Sequence, residues 1–297
     1  MRVVVVLGEK TSAQQRFPSA AAGQRAYAEA MANALAPLIH AGHEVVLVYG
    51  NTPGEVQACR HDSDLLGAAL GSLLEQELGR WLPPGRLAAV LLTQIEVDPT
   101  GAAMATTAGP KGCRRLESRP TPLRVLAWEV VNVLLDQGVV PICGLRCEAP
   151  LVRGDDGMLT EIESALIDPD AVGALLAQQL RADALLLLSD FEAVAEGIGV
   201  SGARRLRVLT TELLDQVTFS SSSLSLKITA AERFVRQNRG LAVIGRPEDV
   251  NGLLNGEAGT RIEPGTESEA VYYEADPGSD LMTTGHRSRA VPRVLHW

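Results

Sequence analysis

The sequence predicts an α/β protein built on an open, mostly parallel sheet with helices on both faces. Two observations carry that expectation. Runs of β-branched and aliphatic residues alternate with stretches of helical apolar spacing along most of the chain. The stretch Ile167–Phe191 then holds the whole pattern in brief: a polar turn, an amphipathic helix, an all-apolar strand and a second polar turn. Within it Asp168 is placed to cap a helix, Pro169 suits the first helical position, and Val172, Leu175, Leu176 and Leu180 share one face. Ala184–Leu188 shows no alternation, as expected of a parallel strand covered on both sides. Ligands in such sheets bind beyond the carboxyl ends of the strands, which directs attention to the Ser189–Asp190 turn.

Taken in order, Arg2–Leu7 reads as a strand, and Tyr27, Met31, Leu35 and Leu38 mark a helix over 20–41 that stops at Gly42. Glu44–Tyr49 is a second strand. Leu65, Leu66, Leu70, Leu73, Leu74 and Leu78 mark a helix over 62–78, and Leu87–Val97 is a third strand. Residues 97–120, rich in Gly, Pro and Ala, lack periodicity and read as a short lid or binding loop. Thr121 and Pro122 carry the signature of a helix start, with the helix running to Asp136 before Gly138 and a strand at Val139–Cys143. The GDDG turn at 154–157 predicts a hairpin, which argues against a pure Rossmann arrangement. Further on lie a short helix near Thr211–Gln216 and an amphipathic helix over 226–237 with Ile228, Ala231, Phe234 and Val235 inward. A strand at Leu241–Gly245 and a helix opened by Pro247 follow. The pattern describes one domain over 1–262, with 263–297 as a flexible tail or an arm laid over a neighbour.

A net charge of −9 over 297 residues, with Lys and Arg scattered singly, disfavours nucleic acid and anionic membranes as partners. Four cysteines in a chain of this length form no disulfide framework, and Cys143 and Cys147 lack a second pair or a histidine at zinc spacing. They read as reduced thiols. No apolar run approaches the roughly 18 residues a membrane helix needs, and the opening RVVVVL is too short for a signal peptide. A cytoplasmic protein is expected. Nucleophile-elbow, GxGxxG and GxxxxGK[ST] motifs are absent, and His40, His43 and His61 are scattered surface or turn residues.

Several segments occur in a recognisable order and spacing: LTQIEVDP at 92–99, RRLESRPTP at 114–122, DQGVVPI at 136–142, IDPD at 167–170, LLSDF at 187–191 and FSSSSLSLKITAAERFV at 219–235. On these the chain resembles the carbamate kinases of the amino-acid kinase family, over residues 1 to about 262. The resemblance implies a three-layer αβα fold with a shortened lid over 97–120, an acceptor-side lobe over about 1–165, a nucleotide-side lobe over about 166–262, and a homodimer. It also implies ATP or ADP with Mg²⁺, and transfer of a phosphoryl group to or from carbamate or carbamoyl phosphate. Such transfer depends on positioning and charge neutralisation.

By the resemblance, Lys227 is a catalytic cation on the ATP phosphates and Asp170 a catalytic aspartate that orients lysines; Lys10, also a catalytic candidate, either neutralises Glu9 or serves as a displaced phosphate ligand. Asp190, Ser189, Ser222 and Ser225 join Lys227 on the nucleotide, while Gly8, Asn51, Arg146 and Arg115 face the acceptor. Plainer readings stand beside these: a solvated helix lysine for Lys227, a first-turn acid favoured by the helix dipole for Asp170, turn chemistry for Asn51, and a solvent-facing pair for Arg114 and Arg115.

The sequence also departs from the family pattern. Glu9 puts a carboxylate into the first glycine loop, Leu145, Arg146, Cys147 and Glu148 replace a run of four glycines, Pro169 stands where a lysine would, and Ser222 and Ser225 replace glycines. Two functions are therefore open: a carbamate kinase-like phosphotransferase acting on carbamate or a related small carboxylate, or a non-catalytic relative acting as a regulatory or scaffold dimer.

Overall fold

The computed structural model describes residues 1–8, 20–50, 60–98, 106–108, 114–116, 120–145, 150–162, 167–196, 204–215, 217–219, 222–265, 270–273 and 293–296. The first half contains β1 (Arg2–Val6), α1 (Ala20–His40), β2 (Glu44–Gly50), α2 (Arg60–Gly79), β3 (Ala88–Thr93), β4 (Ile95–Val97), β5 (Thr106–Ala108), β6 (Arg114–Leu116), β7 (Pro122–Val125), α3 (Trp128–Asp136) and β8 (Val140–Leu145). The second half contains β9 (Leu151–Arg153), β10 (Leu159–Glu161), α4 (Pro169–Gln179), β11 (Ala184–Leu188), β12 (Ala195–Glu196), β13 (Arg204–Thr210), α5 (Thr211–Leu214), β14 (Val217–Phe219), α6 (Ser222–Asn238), β15 (Leu241–Gly245), α7 (Val250–Asn255), β16 (Thr260–Glu263), β17 (Val271–Tyr272) and β18 (Arg293–His296).

The main sheet runs β14-β18-β12-β13-β16-β15-β11-β1-β2-β8-β3, with β17 added on β13. From β15 to β3 every pairing is parallel. Antiparallel pairs enter with β16, β12 and β17. The apolar strands divide their side chains between two cores, as period-two alternation requires. Val4, Val6, Leu185 and Leu187 pack with residues of α3, α4 and α6 on one face. Val3, Val5, Leu186 and Leu188 pack with α1, α2 and α7 on the other. This is the expected three-layer αβα arrangement, with β11 wholly buried between β1 and β15.

Four expectations are corrected. The strand expected over Leu87–Val97 is two strands in two sheets. β3 follows β8 as far as Thr93, whose hydroxyl donates to the Gly144 carbonyl at 3.1 Å, and Gln94 then accepts from Leu126 N–H at 3.0 Å, turning the chain toward β7. The helix expected from Thr121 begins only at Trp128, because Pro122–Val125 pairs antiparallel with β4, with a shift of register between Glu96 and Val97 that leaves Pro122 and Val125 buried and Leu123 and Arg124 facing solvent. Proline is tolerated there at the first residue of a strand on the sheet's edge. Asp168 is the N-cap of α4 but makes no side-chain cap hydrogen bond; its carbonyl accepts from Val172 N–H at 3.2 Å and Pro169 sets the helical φ. Finally, the segment after Ile262 is not wholly a loose tail, since β17 and β18 both pair into the main sheet.

A second sheet, β10-β9-β4-β7, contains the expected hairpin and lies against α4, where Val125 N–H donates to Gln179 Oε1 at 3.1 Å. Arg153 grips Glu96 with two parallel hydrogen bonds of 2.8 and 2.7 Å, tying β9 to β4. The guanidinium hydrogen bonds hold the Glu96 carboxyl below its usual range. The sign of the effect on stability follows. A depressed carboxyl contributes fully above the ordinary glutamate pKa of about 4.3 and loses its contribution as pH falls through the folded value. Replacing Glu96 with glutamine is expected to lower the denaturation midpoint at neutral pH, with the difference from wild type shrinking as pH falls below the ordinary glutamate range. A difference that persists undiminished at low pH would show that the ion pair is not its source.

Candidate active site

The carboxyl ends of β15, β11 and β1 lie side by side, with Ile244, Leu187 and Val6 in register. Gly8 follows β1 at this end of the sheet. A Cβ at Gly8 would overlap the carbonyl oxygen of Leu188 and stand 3.3 Å from Ser189 Cα, so only glycine allows the end of β1 to pass this close to the end of β11. Ser189 N–H donates to the Gly245 carbonyl at 2.9 Å, and Ser189 Oγ accepts from Phe191 N–H at 3.1 Å. Arg246 closes the turn by donating from Nε to the Asp190 carbonyl at 3.1 Å. The turn is thus held by its own serine and by β15, with the Asp190 side chain outward.

The candidate lysine and aspartate lie where α4 meets α6. Lys227 Nζ donates to both carboxylate oxygens of Asp170, at 2.7 and 2.9 Å. Lys227 is only 6% exposed, which rules out the solvated helix lysine. Asp170 occupies the first turn of α4, and one turn later Gly173 packs so closely on Val6 that a Cβ would overlap its Cγ2. This contact sets the amino end of α4 beside the carboxyl end of β1, and the Lys227–Asp170 pair with it. A buried lysine is tolerated because its charge is matched and hydrogen-bonded.

Gly8, Ser189 and Asp190 therefore gather at the carboxyl ends of the central strands, and Lys227 and Asp170 form a direct pair. Ser222 opens α6, and the carbonyl of Ser225 accepts from the Thr229 hydroxyl at 2.8 Å. Arg115 belongs to β6, in register with Thr107 of the antiparallel β5. Lys10, Asn51 and Arg146 lie outside the described residues, but the strands leading to the last two end together, with Gly50 and Leu145 in register. Cys143 is a buried free thiol whose burial pushes its pKa up to about 12, so it stays protonated.

Sequence reasoning missed Arg246, Gly173 and Tyr27, whose hydroxyl donates to the Gly8 carbonyl at 3.3 Å. Arg246 follows directly on the strand Leu241–Gly245, and that position was its signal. The other two act through neighbours distant in sequence.

The model of the amino acid kinase family matches residues 85–245, which span most of the elements just described. The carbamate kinase of Rhizobium meliloti is 32% identical over 303 aligned positions, covering 88% of this chain and 93% of that protein. The chain belongs to the amino acid kinase family. Its carbamate kinase-like character also shows in the Haemophilus influenzae carbamate kinase, 28% identical across 92% of this chain and the whole of that protein. In fold, the Giardia lamblia carbamate kinase solved with AMP-PNP superposes with a TM-score of 0.76 at 22% identity, covering 89% of this chain and 98% of that one. In this chain Lys227 and Asp170 are directly paired, and Pro169 fills the first position of α4.

Proposed function

We propose that the chain moves a phosphoryl group between ATP and carbamate, or a related small carboxylate, in either direction. The observation that carries the reading is the buried Lys227–Asp170 pair. Asp170 engages two of the three ammonium N–H groups, which fixes the direction of the third. A cation preorganised in this way stabilises the charge spread over a phosphoryl group in flight and needs no reorganisation at the moment of transfer. The amino end of α6 supports a nucleotide on the same side, since its first turn carries no acidic residue and its dipole favours phosphate. Ser189 and Asp190, with Ser222 and Ser225 at the start of α6, are the assigned nucleotide contacts. Gly8, Lys10, Asn51, Arg146 and Arg115 are assigned to the acceptor.

Mg²⁺ enters as part of the nucleotide substrate, where it neutralises phosphate charge. Among the described residues no group of three or more His, Cys, Asp or Glu side chains is placed to hold an ion by itself.

The reading includes a cytoplasmic homodimer. Leu87 and Leu92 by the β3 edge, and Val130 and Val133 on α3, are exposed apolar side chains near one end of the sheet, which supports a partner surface there. No helix among the described residues is long and apolar enough to cross a membrane.

A coupled assay with carbamoyl phosphate, Mg²⁺ and ADP is expected to form ATP, and ADP to raise the melting temperature. Absence of both ATP formation and a nucleotide-dependent rise in melting temperature would overturn the enzyme reading and leave the regulatory dimer.

A further inference from the structure

After Glu263 the chain returns to the main sheet twice, beyond residues 85–245 that the family model matches. The first return is an anchor. Val271–Tyr272 lies antiparallel to β13, and Tyr273 N–H donates to the Arg205 carbonyl at 3.0 Å. The Arg204 guanidinium stacks on the Tyr272 ring, 3.9 Å from its centroid, and the Tyr272 hydroxyl donates to Glu196 Oε2 at 2.5 Å. Tyr273 donates to the Gly259 carbonyl at 2.7 Å.

The second return is β18, which lies between β12 and β14. Leu295 is in register with Phe219 on its parallel side and with Glu196 on its antiparallel side. β12 begins four residues after Phe191, the end of the Ser189–Phe191 turn. β14 ends three residues before α6 opens at Ser222. β12 also pairs with β13, whereas β14 pairs, among the described residues, with β18 alone. Such short strands hold little by themselves. The lead into the helix that carries Lys227 is therefore joined to the sheet through the C-terminal strand.

We propose that β18 is a positioning strap for the nucleotide side: by bridging β12 and β14 it holds the exit from the Ser189–Phe191 turn and the entry to α6 in one sheet. The inference rests on the nucleotide reading above. Among the described residues β18 pairs only with β12 and β14, at the far side of the sheet from the parallel strands, so it can leave the sheet without unfolding the central strands, and nucleotide affinity depends on its docking.

The test uses the full chain with Leu295→Pro, which removes an N–H from a strand paired on both sides, and Leu295→Ile, which keeps the backbone donor and suits a strand. Hydrogen exchange and ADP binding by calorimetry are measured on both and on wild type. In Leu295→Pro, exchange is expected to speed up at Ala195–Glu196 and Val217–Phe219 while Ala184–Leu188 stays protected. The Kd for ADP is expected to rise about tenfold or more, and Leu295→Ile is expected to match wild type in both readouts. Protection at Ala184–Leu188 shows that the variant is folded. Unchanged exchange at Val217–Phe219 would overturn the proposal, and so would faster exchange with an unchanged Kd. A wild type that binds no ADP overturns the nucleotide reading itself and this proposal with it, an outcome distinct from either of the others.

Discussion

Replacing Lys227 with alanine is expected to lower the rate of ATP formation from carbamoyl phosphate by about 10²–10³ or more, the loss typical of removing one preorganised donor from a charged transition state. The same change strips Asp170 of the partner that engages both its oxygens. For a fully buried pair, losing one member costs about 3–5 kcal/mol. The Asp170 side chain is 14% exposed, so solvent reduces that cost. Asp170→Ala is expected to do the converse, leaving a cation in a site that is nearly closed to water. The double variant decides whether the two act as a unit. Its destabilisation is expected to fall short of the sum of the single changes by about 0.5–3 kcal/mol, measured by denaturant unfolding. Additive effects together with retained turnover in Lys227→Ala would remove the pair from both roles.

Gly8→Ala is the second large effect. The added methyl would overlap the Leu188 carbonyl oxygen and lie 3.0 Å from the carbon to which it is bonded. Neither is a flexible side-chain end. Both belong to the buried central strand, so the ends of β1 and β11 must separate. Overpacking of this kind costs about 1–3 kcal/mol, occasionally more. Because the same movement shifts Ser189, the activity of the folded fraction is expected to fall as well, most visibly as a raised KM for nucleotide. A variant with unchanged stability and KM would show that the strand ends relax freely and that Gly8 has no positioning part.

Much of the architecture was legible because burial leaves a local trace. The unbroken apolar runs of β1 and β11 report strands covered on both faces, and the inward set Ile228, Ala231, Phe234 and Val235 reports which side of α6 meets the sheet. Gly42 and Gly138 mark chain reversals because each adopts positive φ. Where two local signals conflicted, the stronger-looking one misled. Thr121–Pro122 has the chemistry of a helix start, but the inward Pro122 and Val125 pair with β4, and strand pairing overrode the cap signal. β13 went unread because its charged residues interrupt the apolar pattern. Arg204 and Arg205 serve there as partners for Tyr272, Tyr273, Glu192 and Glu196 rather than as a solvated face.

The sequence by itself determined the strand and helix alternation and that β11 is covered on both faces, and the family resemblance singled out Lys227 and Asp170 as candidates. Only the tertiary structure decided that these two residues, 57 apart in the chain, share a direct ion pair, that Gly8 is required by the Leu188 carbonyl, and that the C-terminal strand closes the sheet between β12 and β14. The reason is physical. Periodicity records which side of one segment is buried, whereas these contacts depend on how α4 packs on α6 and on the order in which distant strands join one sheet, and no local pattern carries that information.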